Sequence, residues 1–195
     1  MISLNIFTKC PNTGDPKQRM FGLLNKSGRS NLAKVMLCCI LSETKDLNIN
    51  IKKNLWVFPN YNDNYINDIS KEYEVSLKNQ SGNSLTSRMT YCLFTESKIS
   101  DKTILIGSDI PSLNKNTIVK SINILDDHDV VLGPSYDDGF YLIGIKDNSI
   151  CEQLINYGHL TSFRDINNFL VSINKKVGLL DKHKDIDEPR DLLTI

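Results

Sequence analysis

The feature that most limits the fold of this 195-residue chain is a set of short apolar runs separated by stretches of helical periodicity. ISLNIFT (2–8), LWVF (55–58), TILIGS (103–108), DVVLG (129–133) and FYLIGI (140–145) read as strands, with shorter candidates at 74–77 and 176–180. The central runs are continuously apolar rather than alternating. That pattern marks strands covered by helices on both faces, as in a parallel sheet. Between them, 30–42, 84–97, 114–125, 149–157 and 162–173 carry apolar residues at helical spacing, with a weaker helix at 65–73 and a final turn after Pro189. Strands alternating with helices predict the α/β class: a three-layer α/β/α sandwich on a mainly parallel, mixed sheet, in a single domain spanning 1–195.

Local chemistry sharpens some of these elements. Ser30 is a candidate cap for the first helix, whose inward residues read as Leu32, Val35, Met36, Cys39 and Ile40. Leu85, Met89, Cys92 and Leu93 form the apolar face of 84–97, with Arg88 on its flank, and Ile118, Ile122 and Leu125 point inward from 114–125.

Charge and cysteine usage narrow the function classes. The chain carries 23 basic and 23 acidic residues, so its net charge gives no support for a broad nucleic-acid or membrane-surface footprint. The five cysteines are odd in number, form no C-x-x-C pair, and read as reduced and mostly packed, as in a cytoplasmic protein. His128, His159 and His183 are too scattered for a zinc site. The N-terminal segment reads as a first strand rather than a signal peptide, and no apolar run approaches the roughly 20 residues of a membrane span.

In an open parallel sheet, ligands bind beyond the carboxyl ends of the strands. Four stretches lie there. KCPNTGDPKQRM (9–20) follows the first strand. Gly14 permits a tight turn, and Lys17 and Arg19 suit a polyphosphate, although the spacing is not that of a Walker loop. The alternative is an exposed loop with ordinary surface cations. TILIGSDIP (103–111) delivers Asp109 at the end of a buried strand, as a ligand for a hard cation or as a cap for the helix near 114. GPSYDDGFYLIGI (133–145) places Asp137 and Asp138 before Gly139, as acceptor-side groups or as solvated turn residues. KDIDEPRDLL (184–193) puts Asp185 and Asp187 on one face if extended; the alternative has Asp187 and Glu188 favouring a helix N-terminus.

Taken together, the four stretches resemble the DUF2064 family of nucleotide-diphospho-sugar-transferase-like proteins of the GT-A fold, which includes a group of arsenosugar-biosynthesis-type glycosyltransferases. The residues carrying the likeness are Pro11, Gly14, Lys17 and Arg19; Gly107, Ser108, Asp109 and Pro111; the segment Val131 to Gly144; and Asp185 to Leu192, all in family order. The resemblance implies a metal-dependent glycosyltransferase that takes a nucleotide-sugar donor, a small-molecule acceptor and Mg²⁺ or Mn²⁺. It implies nucleotide and phosphate contacts from Lys9, Gly14, Lys17, Arg19, Arg88 and Ser108, and metal ligation by Asp109 and Asp187, with Asp185 beside them. It also implies a sugar or acceptor loop at Asp138 and Gly139, with Asp137 as the catalytic base. The closing Asp-Ile-Asp-x-Pro segment resembles guanylyl transferases of the molybdopterin type as well, which makes a pyrophosphate-releasing nucleotidyltransferase the alternative. Ser84 and Ser87 stand where the family carries an acid, Asp138 stands where it carries glycine, and the family's Trp-containing segment near 160 is absent. The acceptor side therefore departs further from the family than the phosphate side does, and a degenerate nucleotide-binding module is a third reading.

Overall fold

A computed structural model describes residues 1–45, 47, 50–158 and 162–194. The chain runs β1 (Ile2–Lys9), α1 (Lys26–Lys45), β2 (Ile51–Phe58), α2 (Asn64–Glu72), β3 (Ser76–Asn79), α3 (Leu85–Ser97), β4 (Lys102–Gly107), α4 (Lys115–Asp127), β5 (Val130–Pro134), β6 (Phe140–Ile145), α5 (Asn148–Tyr157), α6 (Phe163–Ser172) and β7 (Val177–Leu179). Short 3₁₀ turns occupy Gln18–Met20 and Pro189–Thr194.

The seven strands form one sheet in the order β3-β2-β1-β4-β6-β5-β7. Every pairing is parallel except those of β6, which runs antiparallel to both β4 and β5. The mixed, mainly parallel α/β sandwich expected from the apolar runs is the one observed.

Alternation along the strands divides the core in two. Leu4, Ile6, Leu55, Val57, Ile104 and Ile106 pack with α1, α2 and α4 on one face. Phe7, Trp56, Leu105, Leu132 and Ile143 pack with α3, α5 and α6 on the other. Beneath α3 the sheet carries a buried polar network. Asn5 Oδ1 accepts from Asn54 Nδ2 and Trp56 Nε1, both at 2.9 Å. Ser3 Oγ donates at 3.0 Å to the fully buried Glu96, which also pairs with Lys52 and Lys78.

Several local expectations shift. Ser30 does not cap α1; the helix begins at Lys26, and Asn25 Oδ1 accepts from Gly28 N at 2.8 Å. Its buried stripe is Ala33, Met36, Leu37, Ile40 and Leu41, whereas Val35 and Cys39 are exposed. The third strand starts two residues late because Glu74 takes a left-handed φ of 53° after α2. Leu85 is exposed, while Met89, Cys92 and Leu93 are inward as expected, and so are Ile118, Ile122 and Leu125. All five cysteines are free thiols, with Cys10, Cys92 and Cys151 buried. No described helix is long and apolar enough to cross a membrane. His159 lies outside the described residues.

Candidate functional site

The carboxyl ends of β1, β2 and β4 open onto a cleft of about 610 Å³. Its wall brings together Lys9, Lys17, Arg19, Arg88, Ser108, Asp109, Asp185 and Asp187. Four stretches far apart in sequence thus meet in one place.

The loop after β1 is built to hold its cations. Gly14 N donates to Cys10 O at 2.8 Å, and a Cβ on Gly14 would come within 2.8–2.9 Å of the Cys10 and Phe58 backbone. This glycine serves the approach of the chain's own backbone and does not line the cleft. Asp15 accepts from Gln18 Nε2 at 2.8 Å and pairs with the buried Arg29 at 3.0 Å, which ties the loop to α1. The Gln18 hydrogen bond and the nearby cations hold the Asp15 carboxyl below its usual range.

Asp109 does not cap the following helix. Asn114 does so, accepting from Thr117 N at 3.1 Å. Asp109 instead pairs with Lys17 Nζ at 2.8 Å. Lys17 Nζ also donates to Ile186 O at 2.6 Å, and Ile186 N donates to Asp109 O at 3.0 Å. Arg19 Nη1 pairs with Asp187 Oδ2 at 2.7 Å. Asp187 and Glu188 are held by Asp191, whose Oδ2 accepts from both backbone N–H groups at 3.0 and 2.7 Å.

Asp185 forms no ion pair among the described residues. Its burial and the charges of Asp137, Asp187 and Asp191 raise its carboxyl above the usual range. This excess of negative charge in a cleft is the environment a cation relieves. No three His, Cys, Asp or Glu side chains among the described residues form a ready metal cage. A hard divalent ion shared with phosphate oxygens needs only one or two carboxylates. The oxygen donors of Asp109 and Asp187 on one cleft fit Mg²⁺ or Mn²⁺ held in that way.

The other half of the cleft is less charged. Arg88 lies over the Phe58 ring, 4.0 Å from its centroid, and no carboxylate among the described residues pairs with it. Burial lowers its hold on the proton, and its Nε is buried without a partner. Gln80, in the wall, donates from Nε2 to Thr8 O at 3.1 Å and Trp56 O at 2.9 Å, and its carbonyl accepts no hydrogen bond among the described residues. Ser108 Oγ donates to Thr8 Oγ1 at 3.2 Å.

The loop expected to face the acceptor stands apart. Asp137, Asp138 and Gly139 form the turn between β5 and β6 and do not line the cleft, whereas the adjoining Phe140 and Tyr141 do. Asp137 accepts from Ser135 Oγ and from Gly139 N. Asp138 has a left-handed φ of 66°, and its carbonyl accepts from Phe163 N at 2.7 Å.

Sequence reasoning did not single out Phe58, Gln80, Leu85 or Tyr141 for the site. The exposed leucine near the start of α3 is visible only once the helix is placed.

The family described as an uncharacterized protein conserved in bacteria (DUF2064) matches residues 45–167, more than half of the sequence. The chain belongs to this family. The matched span of the DUF2064 member includes Arg88, Asp109 and the β5–β6 turn, while the Lys17/Arg19 loop and the Asp185–Asp187 segment flank it. No protein of curated function matches significantly. Among solved structures, a proposed nucleotide-diphospho-sugar transferase from Desulfovibrio desulfuricans G20 has the same fold, with a TM-score of 0.83 at 23% identity over 98% of this chain and 84% of that one. A 4-diphosphocytidyl-2C-methyl-D-erythritol synthase from Anaerococcus prevotii DSM 20548 follows at TM-score 0.67 and 14% identity, covering 100% and 93%. The manganese complex of Rv0371c from Mycobacterium tuberculosis H37Rv matches at TM-score 0.54 and 12% identity, covering 99% and 96%.

Proposed function

We propose that this DUF2064 protein is a glycosyltransferase that moves a sugar from a nucleotide diphosphate donor to a small acceptor with the help of Mg²⁺ or Mn²⁺. The observation that carries the reading is the meeting of Arg19, Lys9 and Arg88 with Asp109, Asp185 and Asp187 on one cleft. Cations and carboxylates lining one cleft are what a diphosphate bound with a divalent metal would require.

In this reading Arg19, exposed at the mouth, clamps phosphate oxygens. The Arg88 guanidinium, stacked on Phe58, and the Gln80 carbonyl face the nucleoside. Asp109 and Asp187 hold the metal, which supplies charge neutralisation on the departing nucleoside diphosphate. The acceptor hydroxyl attacks the sugar carbon, the bond from that carbon to the diphosphate oxygen breaks, and the hydroxyl proton leaves to a base. Asp137, held by Ser135 and Gly139 outside the cleft lining, adds negative charge beside Asp185.

The test is calorimetric titration with ADP, CDP, GDP and UDP, with and without Mn²⁺ or Mg²⁺. Binding of at least one, tightened by metal, is expected; folded protein that binds none of them overturns the reading. The 4-diphosphocytidyl-2C-methyl-D-erythritol synthase of like fold motivates the second reading, nucleotidyl transfer. Release of nucleoside diphosphate from a nucleotide sugar supports the first reading, and release of pyrophosphate from a nucleoside triphosphate supports the second.

A further inference from the structure

The two cations of the loop after β1 look equivalent in sequence and are not equivalent in space. The Lys17 side chain is 3% exposed and that of Arg19 67%. We propose that Lys17 is a positioning residue which staples the acid-bearing segments of the site together and does not itself touch the diphosphate; this rests on the metal-dependent nucleotide site inferred above.

Lys17 joins three parts of the chain through one ammonium. It is anchored in the loop after β1, pairs with Asp109 beyond β4, and donates to the Ile186 carbonyl between Asp185 and Asp187. The Ile186 N–H closes the arrangement on the Asp109 carbonyl. Two of the three ammonium donors are therefore committed, and the charge already has a carboxylate beside it. The backbone of Lys17 is left-handed, φ 55° and ψ 41°, which is disfavoured for a residue with a Cβ and persists only where surrounding contacts demand it. Three residues on, Met20 is buried with Met36 and Ile186, so the loop also docks on the acid-bearing segment through apolar contact.

The consequence concerns the acids. The staple uses one oxygen of Asp109, and that carboxylate remains 51% exposed, which leaves its second oxygen for a cation. Without the ammonium, Asp109 loses its countercharge and the hold on the Ile186 carbonyl is lost, while Arg19 still pairs with Asp187. The site would then bind a diphosphate through Arg19 without presenting Asp109 and Asp187 together to a metal.

The experiment compares wild type, Lys17→Met, Lys17→Gln and Arg19→Gln by calorimetry, using whichever of ADP, CDP, GDP and UDP the wild type binds best. Mn²⁺ is expected to tighten that binding to wild type by about tenfold or more. Lys17→Met and Lys17→Gln are expected to keep the metal-free affinity within about twofold and to lose most of the Mn²⁺ gain. Arg19→Gln is expected to weaken binding about tenfold with and without metal and to keep the gain. Hydrogen exchange at the Ile186 amide should quicken in the Lys17 variants and not in Arg19→Gln. Lys17→Gln retains a neutral donor for the Ile186 carbonyl and guards against loss of folding by the methionine variant. A fall in metal-free affinity in both Lys17 variants would make Lys17 a phosphate ligand, overturning this proposal while leaving the function standing. Survival of the Mn²⁺ gain in them, its absence from wild type, or failure of both variants to fold also overturns it. Wild-type protein that binds no nucleoside diphosphate overturns it together with the function.

Discussion

Gly133→Ala tests how the sheet shapes the cleft wall. Gly133 lies in β5, and the Tyr141 ring of the neighbouring strand folds over it. An added Cβ would come within 2.5, 2.7 and 2.9 Å of three ring carbons. The ring has nowhere to go: Tyr141 is buried, and its hydroxyl donates to Asp181 O at 3.0 Å. Overpacking of this kind costs about 1–3 kcal/mol. Losing the Tyr141 hydrogen bond adds about 1 kcal/mol, and the lower entropy of the unfolded alanine chain returns roughly 0.5 kcal/mol. The expected net loss is about 2–3 kcal/mol. Urea unfolding followed by fluorescence of the buried Trp56 reads it as a midpoint lowered by about 1 M, for a slope of about 2–3 kcal/mol per M. Because Tyr141 also lines the cleft, nucleotide affinity should fall in the same variant. Pairing Gly133→Ala with Tyr141→Leu should recover more than half of the loss, since the two sites are in direct contact. A Gly133→Ala protein within about 0.5 kcal/mol of wild type, or a loss unchanged by the second substitution, would refute the steric reasoning.

Other outcomes follow from the same structure. Asp109→Asn should abolish the Mn²⁺-dependent tightening of diphosphate binding and also lower the melting temperature, because the buried Lys17 ammonium loses its carboxylate; calorimetry beside a thermal scan checks both. Arg88→Met should weaken nucleoside and nucleoside diphosphate binding to a similar degree, because the guanidinium sits on Phe58 away from the acid-paired cations; selective loss of the diphosphate would contradict the assignment. Burial alone would raise the Glu96 carboxyl, but the Lys78 ion pair, the Ser3 hydrogen bond and the charge of Lys52 bring it below its usual value of 4.5. Its contribution to stability is therefore full above that pH and disappears as pH falls through the lowered folded value. Glu96→Gln should cost about 2 kcal/mol at pH 7, and the gap to wild type should close in acid unfolding titrations; a gap constant down to pH 3 would be evidence against the ion-pair account. Gly14→Ala should loosen the loop after β1, read as faster amide exchange across 14–19 and weaker diphosphate binding, and unchanged exchange there would count against the close backbone approach.

Most of the fold was legible because burial on both faces leaves a run of apolar residues that only a covered strand can use. The positions of β1, β4, β5 and β6 follow from that pattern within a residue or two, and α3 and α4 follow from their apolar periodicity. The inward face of α1 was misread, because Leu32, Val35, Met36, Leu37, Cys39 and Ile40 satisfy more than one stripe of helical period. Only the sheet it packs against selects among them.

The candidate site divides along the same line. Local chemistry marked Arg19, Asp109 and Asp187 as charged residues where chains leave a sheet, since a carboxylate or guanidinium at a buried strand end needs a partner. The sequence alone also placed the Lys17 loop and TILIGSD after strands of one kind. It could not say that Lys17 would be buried and Arg19 open, because exposure depends on which segment folds over the loop. That segment, 185–187, arrives from the far end of the chain through contacts with a sequence separation of about 170 residues. Tertiary structure alone decided that Lys17 is buried against Asp109 and the Ile186 carbonyl while Arg19, paired with Asp187, stays open to solvent.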